Sequence, residues 1–382
     1  MARAVASRCE AAPRREGEEE ARVTGIGSGF KVKKRIVFGA AGVILSALSL
    51  TYVFHDIDFG KLVASASHIR VLPLVGNIFL YWFGVVTIRA LLIRHLIRPL
   101  GNVTMGTAYK YICIGYLANN VLPFRMGEAV RCVGLARRAE VGIASVAGAL
   151  ALERLLDLAM FVYIGIAATL VAPVPDISHP DTYHFRQLVL AGKYGAIAVG
   201  AGLTLAFVVL AVISRRKWAE IAPDPGRRLR VLAWNLAVRF SSGFNALSTS
   251  RGLFTTTLLA AGIWFFMLAG MILRFKAFGL PPEGPGAPLI VPMVLLVTAA
   301  VSGGVALPSL PAFLGVYHAA VVFALNQVFG IPKEEALGFA IFSHAIDISL
   351  GSLAGALGLS LEGMGLADLR RATGLKAAGD EA

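Results

Sequence analysis

Runs of apolar residues long enough to cross a bilayer recur through this chain, and no other feature constrains its fold as much. About 20 apolar residues span ~30 Å of hydrocarbon as a helix, and residues 36–54, 71–93, 141–172, 188–213, 253–275 and 336–359 read as such spans. A mean hydropathy of +0.71 and a charged fraction of 15% rule out a soluble globular domain. The expected fold is therefore all-α, a polytopic helical membrane protein of roughly 6–8 transmembrane helices. Net charge is +13. Its basic residues sit in short clusters beside apolar runs, which is the pattern of cytoplasmic membrane loops, so no nucleic-acid partner is expected. Cys9, Cys113 and Cys132 lack CxxC spacing and a companion His cluster, so neither a metal site nor a disulfide framework is expected. No Gly-rich phosphate loop of the ATP-binding kind occurs, and no cofactor is expected.

Charge also sets the topology. Residues 1–35 mix Arg, Glu, Gly and Ser without apolar periodicity and read as a disordered cytoplasmic tail. Lys31, Lys33, Lys34 and Arg35 directly precede the first span and place the N-terminus inside. Residues 55–70 form an outer connection with an interfacial helix, and the second span returns to the basic cluster Arg94, His95 and Arg98. Arg89, one turn before that cluster, reads as a side chain snorkelling to the inner surface. Residues 173–186 make an outer loop, and Arg215, Arg216, Lys217, Arg227, Arg228 and Arg230 mark the largest inner loop. An amphipathic helix over 231–250, anchored by Trp234, lies at the inner interface. Residues 280–288 form an outer Pro/Gly-rich turn. The transmembrane domain thus runs over 36–360, and residues 361–382, with Arg370, Arg371 and Lys376, form a second cytoplasmic tail.

The stretch from Gly115 to Leu158 breaks the apolar rule most severely. It carries Asn119, Asn120, Arg125, Glu128 and Arg131, then Glu153, Arg154 and Asp157 inside an apolar run. A charge at mid-bilayer costs roughly 2.5–3.5 kcal/mol on insertion scales, so such groups face a partner or a wet cavity and mark function. Pro123 disfavours helical geometry at Leu122, and broken backbone at membrane depth survives only inside protein or along a cavity. Residues 103–140 therefore read as a re-entrant hairpin entering from the cytoplasm. Residues 153 and 157 share a helical face, and Arg154 can pair with Asp157 at i, i+3. A purely structural ion pair between helices is the competing reading.

A second broken region gives the chain an internal symmetry. Leu122-Pro123 followed by Gly127-Glu128 matches Leu307-Pro308 and Pro311 followed by Gly315 to His318. Each precedes a span with intramembrane ionisable groups: Glu153, Arg154 and Asp157 in one, His344 and Asp347 in the other. With both termini inside, the two broken regions open to opposite sides as an inverted repeat, the sequence pointer to a transporter site near the midplane. Residues 289–330 read equally as a hairpin or as two full spans.

At these residues the chain resembles a known family. NNxLPxRxGExxR at 119–131, ERLLD at 153–157 and GVYHAAVVFAL at 315–325 look like the transmembrane region of lysylphosphatidylglycerol synthases and its stand-alone flippase-like relatives. The resemblance covers roughly residues 36–360. It implies a multi-pass protein of the bacterial or archaeal inner (plasma) membrane that translocates an anionic or aminoacylated phospholipid, or a polyprenyl-phosphate-type carrier lipid. The family's second motif commonly reads PGGxGxxE; here Ala312-Phe313 follow Pro311, His318 stands at the acidic position, and His344 matches an Arg of the last span. The lysyl-transferring synthases add a large soluble domain after the membrane region, whereas about twenty residues follow the last span here, so aminoacyl transfer is not expected.

These readings combine into one scheme. Arg125 and Arg131 hold a lipid phosphate, Asn119 and Asn120 shape the unwound backbone, and Glu128, Glu153 and Asp157 pair with the arginines and Arg154 when the site is empty. His318 and His344 couple passage to protons or simply pack as neutral rings. The leading expectation is a transporter and not an enzyme. A membrane-embedded lipid-modifying enzyme, with Glu153 or Asp157 as base, is the alternative, and an accessory subunit of a separate lipid synthase or glycosyltransferase is a third.

Overall fold

The computed structural model describes residues 43–65, 69–122, 125–171, 181–213, 228–281, 290–306 and 309–365. Outside the described residues lie the tail at 1–35, Pro123, Leu307 and Pro308, the loop residues 173–180 and 214–227, most of the turn at 280–288, and the tail beyond 365.

Every regular element among the described residues is helical, as lipid requires of a chain with long apolar runs. In order they are α1 Val43–Phe54, α2 Phe59–Ser65, α3 Val71–Ile97 with a π-helical stretch at Leu80–Val86, α4 Met105–Val121, α5 Gly127–Ala139, α6 Ile143–Val171, α7 Asp181–Ile213, α8 Arg228–Ser242, α9 Ser250–Ala277 and α10 Ile290–Ala306. They end with α11, Val316–Val322 continued by a π-helical stretch Phe323–Val328, and α12 Lys333–Leu361. Among the described residues five stretches are long and apolar enough to cross a membrane: Val71–Ile97, Ile143–Val171, Ser250–Ala277, Pro311–Val328 and Lys333–Leu361. Their outer surfaces carry Leu72, Phe83, Phe265 and Leu353, all exposed, while Arg89, Arg131, Glu153, Arg274 and His344 are buried. Large apolar side chains outside and charges inside suit lipid as the solvent.

The amphipathic segment over 231–250 is shorter than the sequence suggests. Helix α8 stops at Ser242 and a 3-10 turn follows at Asn245–Leu247. Gly243 lies so close to α6 that a β-carbon there would stand 2.3 Å from the Ala149 nitrogen, and the chain turns at that contact.

Both broken regions are helical hairpins. Helix α4 starts on a cap in which the Thr107 N–H donates to Thr104 Oγ1 at 3.1 Å. It ends at Leu122 with φ −98° and ψ 143°, the extended geometry that a following proline favours. The return helix α5 lies antiparallel, so close that a β-carbon on Gly127 would sit 2.1 Å from the Gly115 carbonyl oxygen. In the second hairpin, Gly304 of α10 faces Ala320 and Val316 of α11. Between α10 and α11, Ala312 and Phe313 adopt left-handed backbone (φ 55° and 58°), and Arg125 does the same at the first tip (φ 53°). Such non-glycine conformations cost on the order of 1 kcal/mol or more and persist only where their surroundings enforce them.

Element lengths reveal the repeat more clearly than the motifs do. Helices α4 and α10 each have 17 residues, α5 has 13, α11 has 7 followed by 6, and the long helices α6 and α12 each have 29. The hairpins approach from opposite ends of α12. Lys110 and Arg138, at the open end of the first hairpin, both reach Glu362 at the C-terminus of α12. The second hairpin runs from Val328 straight into the N-terminus of α12 at Lys333. Its tip is held by the Leu310 N–H, which donates to Ser46 Oγ of α1 at 3.0 Å. The two tips meet each other at Arg125. Arg125 donates to the Val305 carbonyl at 3.4 Å and lies 5.6 Å over the Phe313 ring. Of the 289–330 region, which the sequence left open, α10 and α11 are the two arms of the second hairpin; Pro311–Val328 is long and apolar enough to cross a membrane, and α10 is the shorter apolar helix.

Candidate functional site

Three helices bring the charges of the first half together. Helix α5 supplies Glu128 and Arg131, α6 supplies Glu153, Arg154 and Asp157, and α3 supplies Arg89. Glu153, 0% exposed, lies at the centre of the network. Its Oε1 accepts from Arg89 Nη1 at 2.6 Å and from Arg154 Nη2 at 3.0 Å, and its Oε2 accepts from Arg131 Nη2 at 2.8 Å. Arg131 also donates to Glu128 at 2.9 Å. Asp157 accepts from Arg89 at 3.0 Å, lies 3.1 Å from Arg154, and accepts from the Trp264 indole at 3.4 Å. Three arginines and three carboxylates balance, which is the condition for burying so many charges.

Arg89 corrects the sequence reading. It does not snorkel: it is buried at 7% exposure and points into the network. Its distance along the chain to the Arg94 cluster suggested the inner surface, but helical phase decides which way a side chain faces, and its phase turns it toward α6. Arg125 occupies the opposite position. It is exposed and pairs with no carboxylate among the described residues, so it remains the uncompensated cation at the meeting of the two tips. Arg131 is 3% exposed and already engaged by two carboxylates, and Arg154 is half-buried. Nε of Arg89, Arg131 and Arg154 is buried without a protein partner, so each guanidinium retains a donor.

The asparagines brace the first tip. Asn119 Oδ1 accepts from the Gly127 N–H at 2.9 Å across the break. Asn120 Nδ2 donates to Ser352 Oγ at 3.0 Å and to the Ile348 carbonyl at 3.4 Å, tying the tip to the middle of α12.

The second half holds a matching pair, of which the sequence reading named Asp347 but not Arg274. Arg274 of α9, 6% exposed, donates to both oxygens of Asp347 at 2.9 and 2.8 Å and to Asn77 Oδ1 at 3.1 Å. Asp157 and Asp347 are each the fifteenth residue of their 29-residue helix, and each pairs with an arginine from the span preceding its hairpin. By the same register Arg154 matches His344 and Glu153 matches Ser343. Around His344 the rings close up: Tyr317 stacks on it at 4.3 Å between centroids, and His318 meets it edge-on at 5.0 Å. A cavity of about 120 Å³ lies beside this pair, lined by Tyr81, Thr298, Ser302, Tyr317, Arg274 and Asp347 among others. Among the described residues no three His, Cys, Asp or Glu side chains gather as a metal site requires.

A family model, described as the lysylphosphatidylglycerol synthase TM region, matches residues 39–355 and so takes in both hairpins, the long helix α6, most of α12 and every residue of the two charge clusters. The chain belongs to the lysylphosphatidylglycerol synthase transmembrane-region family. No match was found among the curated proteins or the solved structures. Membership makes this a multi-pass membrane protein of a family connected with lipid synthesis or modification.

Proposed function

We propose that the chain is a lipid translocase that moves an anionic or aminoacylated phospholipid, or a polyprenyl-phosphate-type carrier lipid, between leaflets of the inner membrane, with both termini cytoplasmic. One observation carries the reading: two hairpins entering from opposite ends of α12 meet tip to tip at Arg125, the one cation of the central group without a carboxylate partner. Irregular backbone at a repeat interface is where transporters hold substrate, and alternate rocking of two such halves exposes the interface to either side. Guanidinium matches phosphate in bidentate geometry and keeps its charge when desolvated.

The network then supplies the exchange of partners. A phosphate arriving at Arg125 draws on half-buried Arg154 and its free Nε, while Glu128, Glu153 and Asp157 redistribute over Arg131 and Arg89. No charge is left bare at any stage, which keeps the barrier low. The enzyme alternative needs a carboxylate free to take a proton; Glu153 is held by three arginines and Asp157 by two, which favours the translocase reading.

The test is headgroup accessibility in reconstituted liposomes, with fluorescent phospholipid and polyprenyl-phosphate analogues and wild type beside Arg125→Ala. Wild type is expected to move one lipid class faster than empty liposomes, with the lipid chemically intact, and Arg125→Ala to lose most of that rate. Chemical change of the analogue without movement would replace the translocase reading by the enzyme reading.

A further inference from the structure

A second cluster of basic residues lies away from the hairpin tips, at one end of the bundle. Arg94, His95 and Arg98 occupy the last turns of α3 and the residue after it, and Arg251 is the second residue of α9. Two open grooves of about 790 and 490 Å³ meet at His95, Arg98 and Thr255. Arg251, Asn245 and Thr249 line the first, and Arg94, Asn102, Leu91 and Leu259 line the second. Neither groove has an Asp or Glu in its wall. Arg94, Arg98 and Arg251 are exposed, and none has an ion-pair partner among the described residues. His95 holds the grooves in place, with Nε2 3.4 Å from the Gly252 carbonyl of α9.

Three unpaired guanidinium groups around one junction repel each other, and the fold brings them together without supplying a counter-charge. An anion that joins them replaces that repulsion with charge-assisted hydrogen bonds. We infer that these grooves bind the phosphate headgroup of an anionic phospholipid, at a site separate from the Arg125 site. The grooves themselves select a lipid over a soluble anion. All three arginines lie at the ends of membrane-crossing stretches, Val71–Ile97 and Ser250–Ala277, which is the depth of lipid phosphates. The second groove is also amphipathic along its length. Exposed Leu91 lies one turn from Arg94 toward the membrane interior, and with Leu259 it gives an acyl chain a wall below the charged mouth. Basic pockets between membrane helices bind anionic headgroups by the same combination.

Such a lipid would clamp α3 to the start of α9, the two spans that carry Arg89 and Arg274. The site thus sets the relation between the helices that hold the two Arg–Asp pairs, and the composition of the surrounding leaflet becomes an input to it.

The experiment is native mass spectrometry of the full chain in non-ionic detergent, titrated with phosphatidylglycerol or with phosphatidylcholine. Wild type is compared with Arg94→Ala/Arg98→Ala/Arg251→Ala and with Arg137→Ala, an exposed arginine outside the grooves. At roughly fivefold per arginine near a membrane surface, the triple variant should bind phosphatidylglycerol on the order of a hundredfold more weakly. Arg137→Ala should match wild type, and phosphatidylcholine should bind weakly to all three. Should the triple variant misfold, Arg98→Ala alone decides, with an expected loss of about fivefold. Equal phosphatidylglycerol binding by wild type and the groove variants would overturn the inference. So would displacement of the lipid by millimolar inorganic phosphate, which would assign the grooves to a free anion. Neither outcome depends on whether the protein moves lipid across the membrane.

Discussion

The two halves of the molecule share a frame and differ in what they place on it. Each has a hairpin of 17 and 13 residues, a following helix of 29, and an Arg–Asp pair from the fifteenth position of that helix to the span before the hairpin. In the first half that pair is the edge of a six-member charge network centred on Glu153. In the second half Ser343 stands in place of Glu153 and a stack of rings stands in place of Arg154, so the pair is nearly alone. What recurs in both halves, hairpin and Arg–Asp tie, belongs to the architecture. What appears in one half only, Glu153, Arg131, Glu128 and the free Arg125, belongs to the proposed chemistry.

The largest break in this comparison comes at the matched positions 153 and 343. Glu153→Gln leaves two buried guanidinium groups, Arg89 and Arg131, and half-buried Arg154 without their central carboxylate and should cost about 3–5 kcal/mol, read as a large loss of thermal stability in detergent. Ser343→Ala removes a buried hydroxyl that has no partner, and should change stability by less than about 1 kcal/mol or raise it. Similar effects at both positions would show that the halves do not divide their roles in this way.

Much of this was legible in the sequence, and the losses have a single cause. Pro123, the LPSLP segment and the polar residues around them identify the broken hairpins, because proline and charge at membrane depth leave the chain few options. The two arginines that complete the Arg–Asp pairs were not legible. Arg89 and Arg274 both lie near the ends of apolar spans beside other basic residues, where snorkelling is the simpler account. The direction each side chain faces depends on which helices neighbour it, and a single chain does not state that. Arg125 looked equivalent to Arg131 for the same reason, although one is free and the other is engaged by two carboxylates.

A smaller contrast separates the hairpins. Gly127→Ala places a β-carbon 2.1 Å from the Gly115 carbonyl and must push α4 and α5 apart, at a cost of about 1–3 kcal/mol. Gly304→Ala meets Ala320 and Val316 at 3.3 Å, a contact that side chains relieve by shifting a few tenths of an ångström. Disulfide trapping between the arms of each hairpin should show the first disturbed and the second intact.

The smallest expected effect is one of pH. Burial pushes the Glu362 carboxyl up, but its contacts with Lys110 and Arg138 outweigh that and hold it below the usual carboxylate range. A depressed value means that the tie between the first hairpin and α12 is fully formed above that range and is lost as pH falls through the folded-state value. Hydrogen exchange over 105–112 should therefore rise on acidification in wild type and be pH-independent in Glu362→Gln once the intrinsic rate is removed. The second hairpin, joined directly to the other end of α12, should show no such response.

The most direct test of a headgroup at the meeting of the tips is to find where a lipid phosphate goes. A phospholipid with a photoreactive group on its headgroup, reconstituted with the full chain and mapped after illumination, should label residues around Arg125 and around Val305 to Phe313, and Arg125→Ala should abolish both. Labelling confined to the outer surface, or labelling of the tips unaffected by Arg125→Ala, would contradict the assignment of Arg125 as the residue that receives the lipid.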